Sequence, residues 1–170
     1  MLKYINFKIS KITIFVGLFI IISASFARQV IEFLQGLIGR KETTALLGLM
    51  MIIACLVFLV FVTKKNIHFI KTPVTIFVLI MGLILAWQTK YPAEKIHLLE
   101  YGVLGWLAVD DLLKINRKAK AVILASFFCL DVGILDELFQ AFLPYRVCDI
   151  RDVIMNGIGG VWGVILYLLR

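Results

Sequence analysis

Residues 43–62 read TTALLGLMMIIACLVFLVFV, an unbroken run of 20 residues without a charged side chain. The hydrocarbon core of a bilayer is about 30 Å thick, and a helix needs roughly 20 predominantly apolar residues to cross it. A helix that is apolar all round also has no polar face to present to water. This stretch therefore predicts a transmembrane helix and sets the fold class of the chain.

The rest of the chain has the same character. Of its 170 residues, 62% are hydrophobic and 17% are charged, and the mean hydropathy is +1.00, well above the apolar content of soluble domains. Apolar runs lie at residues 12–27, 43–62, 72–87, 93–113, 121–143 and 153–169. We predict an all-α membrane protein, a polytopic bundle of about six transmembrane helices that forms one domain over residues 1–170.

A five-helix bundle is the alternative, because the fourth run carries His97, Glu100 and two aspartates. Lysine and arginine accumulate on the cytoplasmic side of membrane proteins, and this rule tests the two models. Six spans place 11 basic residues on one side and 7 on the other, whereas five spans place 10 and 8. We therefore expect six spans with both termini in the cytoplasm. The net charge of +7 is scattered between the runs, so we interpret it as a topology signal and expect no nucleic acid partner.

The first run permits a second interpretation. Three lysines precede it and it ends in SASFA at residues 23–27, as in a cleaved signal peptide. In the segment that follows, residues 28–42, Arg28, Glu32 and Gln35 share one helical face, which predicts a short interfacial helix on the outer leaflet. Two of the three cysteines, Cys55 and Cys129, lie inside apolar runs, so no disulfide framework is indicated.

Polar residues interrupt the apolar pattern in three places, and residues three or four positions apart share one helix face. The groups are Lys95, His97, Glu100 and Tyr101; Glu137 and Gln140; and Arg146, Asp149, Asp152 and Asn156. With six spans, the fourth helix begins, the fifth ends and the sixth begins on the same side of the membrane. An ionisable residue within a span costs on the order of 2.5–3.5 kcal/mol, so such residues face inward and pair. We therefore predict one polar site in the outer part of the bundle.

The spacing of these residues resembles that of the VanZ-like family. Residues 94–105 follow E-K-x-H-x-x-x-Y-x-x-x-G, and residues 137–159 follow E-x-x-Q-x-F-x-P-x-R-x-x-D-x-x-D-x-x-x-N-x-x-G. Glu94 stands where the family usually has Asp, and Tyr145 where it usually has Gly. The resemblance covers residues 94–170. It implies a small multi-pass protein of the bacterial plasma membrane, associated in some members with lower susceptibility to teicoplanin-type glycopeptides, and it implies no established reaction. We expect no cofactor.

These observations lead to a hypothesis of binding to, or modification of, a cell-envelope lipid or glycan. In an enzyme, His97 or Glu137 would be the acid–base group, Arg146 would stabilise developing negative charge, and Asp149 and Asp152 would orient the substrate or bind a metal. A metal held by His97 and neighbouring carboxylates is a further alternative, although no metal-ligand motif accompanies it.

In a binding module the same residues would only recognise a ligand, such as an anionic envelope lipid or a cell-wall precursor. The residues expected to contact that ligand are Lys95, Glu100, Tyr101, Gln140, Arg146 and Asn156. A non-enzymatic scaffold and a proton-coupled transporter that uses Asp131 are the alternative functions. The sequence leaves open whether any reaction is catalysed.

Overall fold

The computed structural model describes residues 7–63, 71–89, 92–144 and 149–170, and these residues form six α-helices and no strand. The helices are α1 (Lys11–Ile38), α2 (Arg40–Thr63), α3 (Lys71–Gln88), α4 (Pro92–Leu113), α5 (Lys118–Ala141) and α6 (Ile150–Leu169). Each of the six apolar runs lies in one helix, to within two residues. The predicted all-helical fold is therefore confirmed.

Four of the helices, α1, α2, α3 and α6, are long and apolar enough to cross a membrane. Large apolar side chains cover the outside of the bundle, among them Phe15, Val57 and Phe77, each more than 60% exposed. Contact between so much apolar surface and water is unfavourable, whereas contact with lipid is not. The long apolar helices and the apolar outer surface together show that the chain is a multi-pass membrane protein.

Helix α4 lies at the centre of the bundle and contacts all five other helices. Its most extensive contact is with α6, and glycines make this contact possible. A Cβ atom added to Gly105 would overlap the carbonyl of Gly160, and one added to Gly163 would overlap the carbonyl of Gly102. The two helix backbones therefore touch, as small residues allow in membrane bundles.

Trp162 fixes the position of α3 against this central pair. Its indole ring fills the space above Gly82 of α3 and Gly102 of α4, where a Cβ would collide with the ring. Its Nε1–H donates a hydrogen bond to the Val78 carbonyl at 2.9 Å. A buried tryptophan needs such an acceptor for its single polar atom, so the ring both packs and positions the third helix.

Polar contacts tie the helices together at the end where α1 begins and α4 ends. Asp111 of α4 accepts hydrogen bonds from the backbone N–H of Ser10 at 2.9 Å and from the Thr13 hydroxyl at 2.7 Å. Ser10 is also the N-cap of α1, since its side chain accepts from the Thr13 N–H. One carboxylate therefore fixes the start of α1 to the end of α4.

The neighbouring Asp110 fixes the end of α6 to the same point. It accepts hydrogen bonds from the Tyr167 hydroxyl at 2.6 Å and from the Arg170 guanidinium at 3.1 Å. The guanidinium also stacks over the Tyr167 ring, 3.8 Å from its centroid. Lys114 is 2.9 Å from Asp110, and its hydrogen bonds to Asp110 and Asp111 raise the pKa of its ammonium group. The two aspartates at the end of α4 therefore hold both α1 and α6 in place.

The structure corrects the expectation of a separate interfacial helix over residues 28–42. Helix α1 continues without a break through Arg28 and ends only at Gly39, whose φ of 96° favours glycine. A helix that has already formed extends at little cost when no strong breaker follows. The polar face predicted for this segment is present, since Arg28 and Glu32 form an ion pair at 2.9 Å.

The glycine contact between α4 and α6 predicts a position-specific loss of stability. Gly163→Ala adds one methyl group against the Gly102 carbonyl and should lower the free energy of unfolding by about 1–3 kcal/mol through overpacking. In Gly157→Ala, a matched control, the new Cβ lies 3.5 Å from Leu130 Cδ1, an ordinary contact, and stability should change by less than about 0.5 kcal/mol. Unfolding in detergent micelles measures both, and equal effects at the two positions would contradict a backbone contact between α4 and α6.

Candidate polar site

Six buried polar side chains meet where α4 and α6 begin and α5 ends. We call them the polar cluster: His97, Tyr101, Asp136, Glu137, Gln140 and Asn156. None is more than 6% exposed. Helix α5 is antiparallel to the other two, which is why the end of its sequence meets their beginnings. Three helices therefore supply polar groups to one volume inside an apolar bundle.

Asp136 is at the centre of this cluster and has no exposed surface. Its Oδ2 accepts a hydrogen bond from the Tyr101 hydroxyl at 3.3 Å, and its Oδ1 accepts one from Gln140 Nε2 at 2.9 Å. Each carboxylate oxygen thus has a donor, one from α4 and one from the next turn of α5. Burying a carboxyl group is costly unless such partners are present.

Glu137 connects the end of α5 to the start of α6. Its side chain is 2% exposed, and its Oε2 accepts a hydrogen bond from the backbone N–H of Asp149 at 3.0 Å. Asp149 is the N-cap of α6, and its own carboxylate accepts from the Arg151 N–H at 2.9 Å. Capping of this kind stabilises a helix start by about 1 kcal/mol. The carboxylate of Asp149 therefore has a structural role in addition to any chemical one.

His97 and Glu100 link the interior of the cluster to its surface. The Nδ1 atom of His97 lies 3.3 Å from Glu100 Oε2, a charged contact when the ring is protonated but without the geometry of a hydrogen bond. His97 is buried, whereas the Glu100 side chain is 22% exposed. The carboxylates of Asp136 and Asp152 are also close enough to interact electrostatically with the ring. The pair therefore joins a buried ring to a partly exposed carboxylate.

Asn156 is the unusual member of the cluster. It is 1% exposed, yet neither its amide nitrogen nor its oxygen has a hydrogen-bond partner among the described residues. It packs against α5 at Gly133, where an added Cβ would lie 3.0 Å from Asn156 Cβ. An unsatisfied buried amide costs about 1–3 kcal/mol. A ligand that donates to the oxygen and accepts from the nitrogen would offset that cost.

The structure brings most of the predicted site residues together. His97, Tyr101, Glu137, Gln140 and Asn156 belong to the buried cluster, while Glu100, Asp149 and Asp152 lie around it with partial exposure. Within the described ranges, no three His, Cys, Asp or Glu side chains are placed to hold one metal ion. Arg146 and the side chain of Glu94 lie outside the described residues.

Lys95 makes contacts that the sequence did not indicate. Its ammonium group is buried and donates to the Ala86 carbonyl at 2.6 Å and to the Thr89 hydroxyl at 3.3 Å. Both acceptors belong to the C-terminal end of α3 and the residues after it, where unpaired carbonyls attract cations. The two hydrogen bonds of Lys95 thus link the end of α3 to the start of α4.

Asp136 is the residue that sequence reasoning missed as a site residue. Its position four residues before Gln140 was a usable signal, because residues at this spacing pair on one helix face. The contact with Tyr101 had no such signal, since it joins two helices 35 positions apart in sequence.

These features define a class of protein: a multi-pass helical membrane protein with a buried polar cluster at one end of its bundle. A family model described as VanZ/LLP1 matches residues 2–170, and the chain belongs to the VanZ/LLP1 family. The resemblance seen in residues 94–170 is therefore confirmed, and the match extends to the first half of the chain. No curated protein and no solved structure matches it.

The bonding of the cluster predicts opposite effects for two leucine substitutions. Asn156→Leu replaces an amide that has no partner among the described side chains and backbone with an apolar group of similar shape, and should raise the free energy of unfolding by about 1 kcal/mol. Gln140→Leu removes a donor from buried Asp136 and should lower it by about 1–3 kcal/mol. Chemical unfolding in micelles distinguishes them. Equal destabilisation by both would mean that the Asn156 amide has a structural partner.

Proposed function

We propose that this protein binds, or chemically modifies, a lipid or glycan component of the bacterial cell envelope at the outer face of the plasma membrane. In this proposal the polar cluster is the site, and the effect on the cell is lower susceptibility to teicoplanin-type glycopeptides. Membership of the VanZ/LLP1 family supports the general class. The choice of the cluster as the site rests on the structure.

The observation that carries the proposal is the amide of Asn156, which lies within a cluster of carboxyl groups and has no hydrogen-bond partner in the part of the chain that the structure describes. A scaffold has no need for such a group, since leucine would fill the same volume without the cost of desolvation. Natural sites keep such unfavourable groups when a ligand uses them. Carboxylate and amide oxygens suit a ligand rich in hydroxyl or amine donors, such as a sugar or an amino-bearing headgroup. Arg146 is the proposed contact for an anionic group of the same ligand.

The proposal includes a topology of six spans with both termini in the cytoplasm. Helices α4 and α5 are about 33 and 36 Å long at 1.5 Å per residue, enough to cross a bilayer. Contact between α4 and all the other helices also supports its lying parallel to them inside the membrane. The cluster would then open outward, toward envelope components.

Cysteine labelling tests this topology. Arg151→Cys and Lys118→Cys are both exposed and lie at opposite ends of the bundle. In a background with Cys55, Cys129 and Cys148 replaced, a membrane-impermeant thiol reagent added to intact cells should label position 151 and leave position 118 unlabelled until the cells are opened. The reverse pattern would place the cluster in the cytoplasm and remove the envelope ligand from consideration.

Glycopeptide susceptibility tests the site itself. Expression of the chain in a susceptible bacterium should raise the minimal inhibitory concentration of teicoplanin. Expression of Asn156→Leu should leave this concentration at the level of the empty vector, although the variant folds and reaches the membrane. Glu32→Gln on the exposed face of α1 is the control and should keep the full effect. Equal activity of Asn156→Leu and the unaltered chain would contradict the assignment of the site.

Glu137→Gln separates an enzyme from a binding module. Glutamine retains a side-chain oxygen to accept the Asp149 N–H, so the start of α6 stays in place. Loss of the teicoplanin effect in this variant would indicate acid–base chemistry at Glu137, because glutamine cannot exchange a proton at neutral pH. Retention would favour the alternative function, a non-enzymatic module that only recognises an envelope ligand or a partner.

A proton-coupled transporter has less support. That hypothesis depended on Asp131 as a polar group at midplane inside the bundle, and Asp131 is exposed on the outside of α5. The described part of the cluster is confined to one end of the bundle, which suits recognition at a surface better than passage through the membrane.

A further inference from the structure

Asp131 lies on the side of α5 that faces away from the bundle. The buried residues of α5 lie together on its inner face: Ala121, Ala125, Cys129, Val132, Gly133, Asp136, Glu137 and Gln140. At about 100° per residue, Asp131 points nearly opposite to that face. Its neighbours along the outer face, Phe127, Leu135 and Leu138, are each more than 50% exposed.

The depth of Asp131 makes this exposure costly. The residue lies about 20 Å along the helix from Lys118 and about 15 Å from Ala141, near the middle of a spanning α5. Acids within spans are rare on surfaces that face lipid, and they pair with one another or with other polar groups. Asp131 makes no hydrogen bond or ion pair with any described residue, and the nearby Ser126 hydroxyl donates instead to its own helix at the Val122 carbonyl.

We propose that the outer face of α5 is an interface with a second copy of this chain, in which the two Asp131 carboxyl groups bond to each other across a two-fold axis. Copies inserted in the same orientation place Asp131 at the same depth, so a symmetric contact supplies each acid with a polar partner at that depth. A protonated carboxyl group both donates and accepts, which allows the pair to satisfy itself.

Contacts through the described central turns of α2, α3 or α6 supply no such partner. Over the described central turns of α2, α3 and α6 the exposed residues are apolar, for example Leu56, Ile80 and Val161. The basic residue of α1 nearest to this depth, Arg28, is already paired with Glu32 at 2.9 Å. The symmetric α5 contact is therefore favoured over contacts that use α2, α3 or α6. This inference rests on α5 crossing the membrane, as in the proposed topology.

Disulfide crosslinking in native membranes tests the interface. Leu135 lies one turn from Asp131 on the outer face, and Leu49 on α2 has the same exposed fraction, 54%, on a helix that does not contact α5. With the native cysteines replaced, oxidation should join Leu135→Cys chains into a species of twice 19.3 kDa and leave Leu49→Cys chains as monomers.

Substitution of Asp131 itself tests the role of its carboxyl group in the interface. Asp131→Leu should lower the crosslinked fraction at position 135 by about tenfold, equivalent to about 1.4 kcal/mol, because interhelical hydrogen bonding is lost. Asp131→Asn keeps a donor and an acceptor and should preserve it. Equal crosslinking at positions 49 and 135, a product of another mass, or no product would each overturn the second copy as partner. The labelling of positions 118 and 151 reports separately whether α5 spans.

Discussion

The backbone contact between α4 and α6 is the constraint on which the rest of the structure depends. Where Gly105 meets Gly160 and Gly102 meets Gly163, no side chain separates the two helices. So close a contact fixes the axial position of α6 relative to α4. If either helix slid along its axis, larger side chains would collide with the neighbouring backbone. That register sets the turn of α4 that carries Tyr101 beside the turn of α6 that carries Asn156. The polar cluster is a consequence of the glycine contact.

The two ends of the bundle differ in how completely their polar groups are hydrogen-bonded. At the end with Asp110 and Asp111, the described contacts are complete: hydroxyls, backbone N–H groups, Lys114 and Arg170 supply donors to both carboxylates. At the other end Asp136 is bonded, yet the Asn156 amide of the same cluster has no hydrogen-bond partner among the described residues. A network that serves only stability would satisfy all its members. The asymmetry between the ends is what distinguishes a structural joint from a candidate site.

Asp131 and Asp136 show why local sequence cannot assign such roles. They lie five positions apart on one helix, which puts them on opposite sides of it. One is enclosed between Tyr101 and Gln140, and the other is surrounded by apolar side chains that face lipid. The same residue type thus indicates an internal site in one case and a contact with another chain in the other. The two roles differ because one side of α5 faces the interior of the bundle and the other side faces outward, which the local sequence does not show.

The sequence by itself determined the helices, since a run such as residues 43–62 has no other stable form in lipid. The spacing of the two polar motifs in residues 94–159 also indicated the family and five members of the cluster. It failed at the end of α1, where continuation of the helix through Arg28 depends on the absence of a breaker rather than on an apolar pattern. Tertiary structure alone decided that Asp136 is central, that Lys95 binds the end of α3 and that Asn156 has no hydrogen-bond partner within the described ranges. Hydropathy and spacing describe one helix at a time, whereas hydrogen bonding inside a bundle depends on which faces of different helices meet.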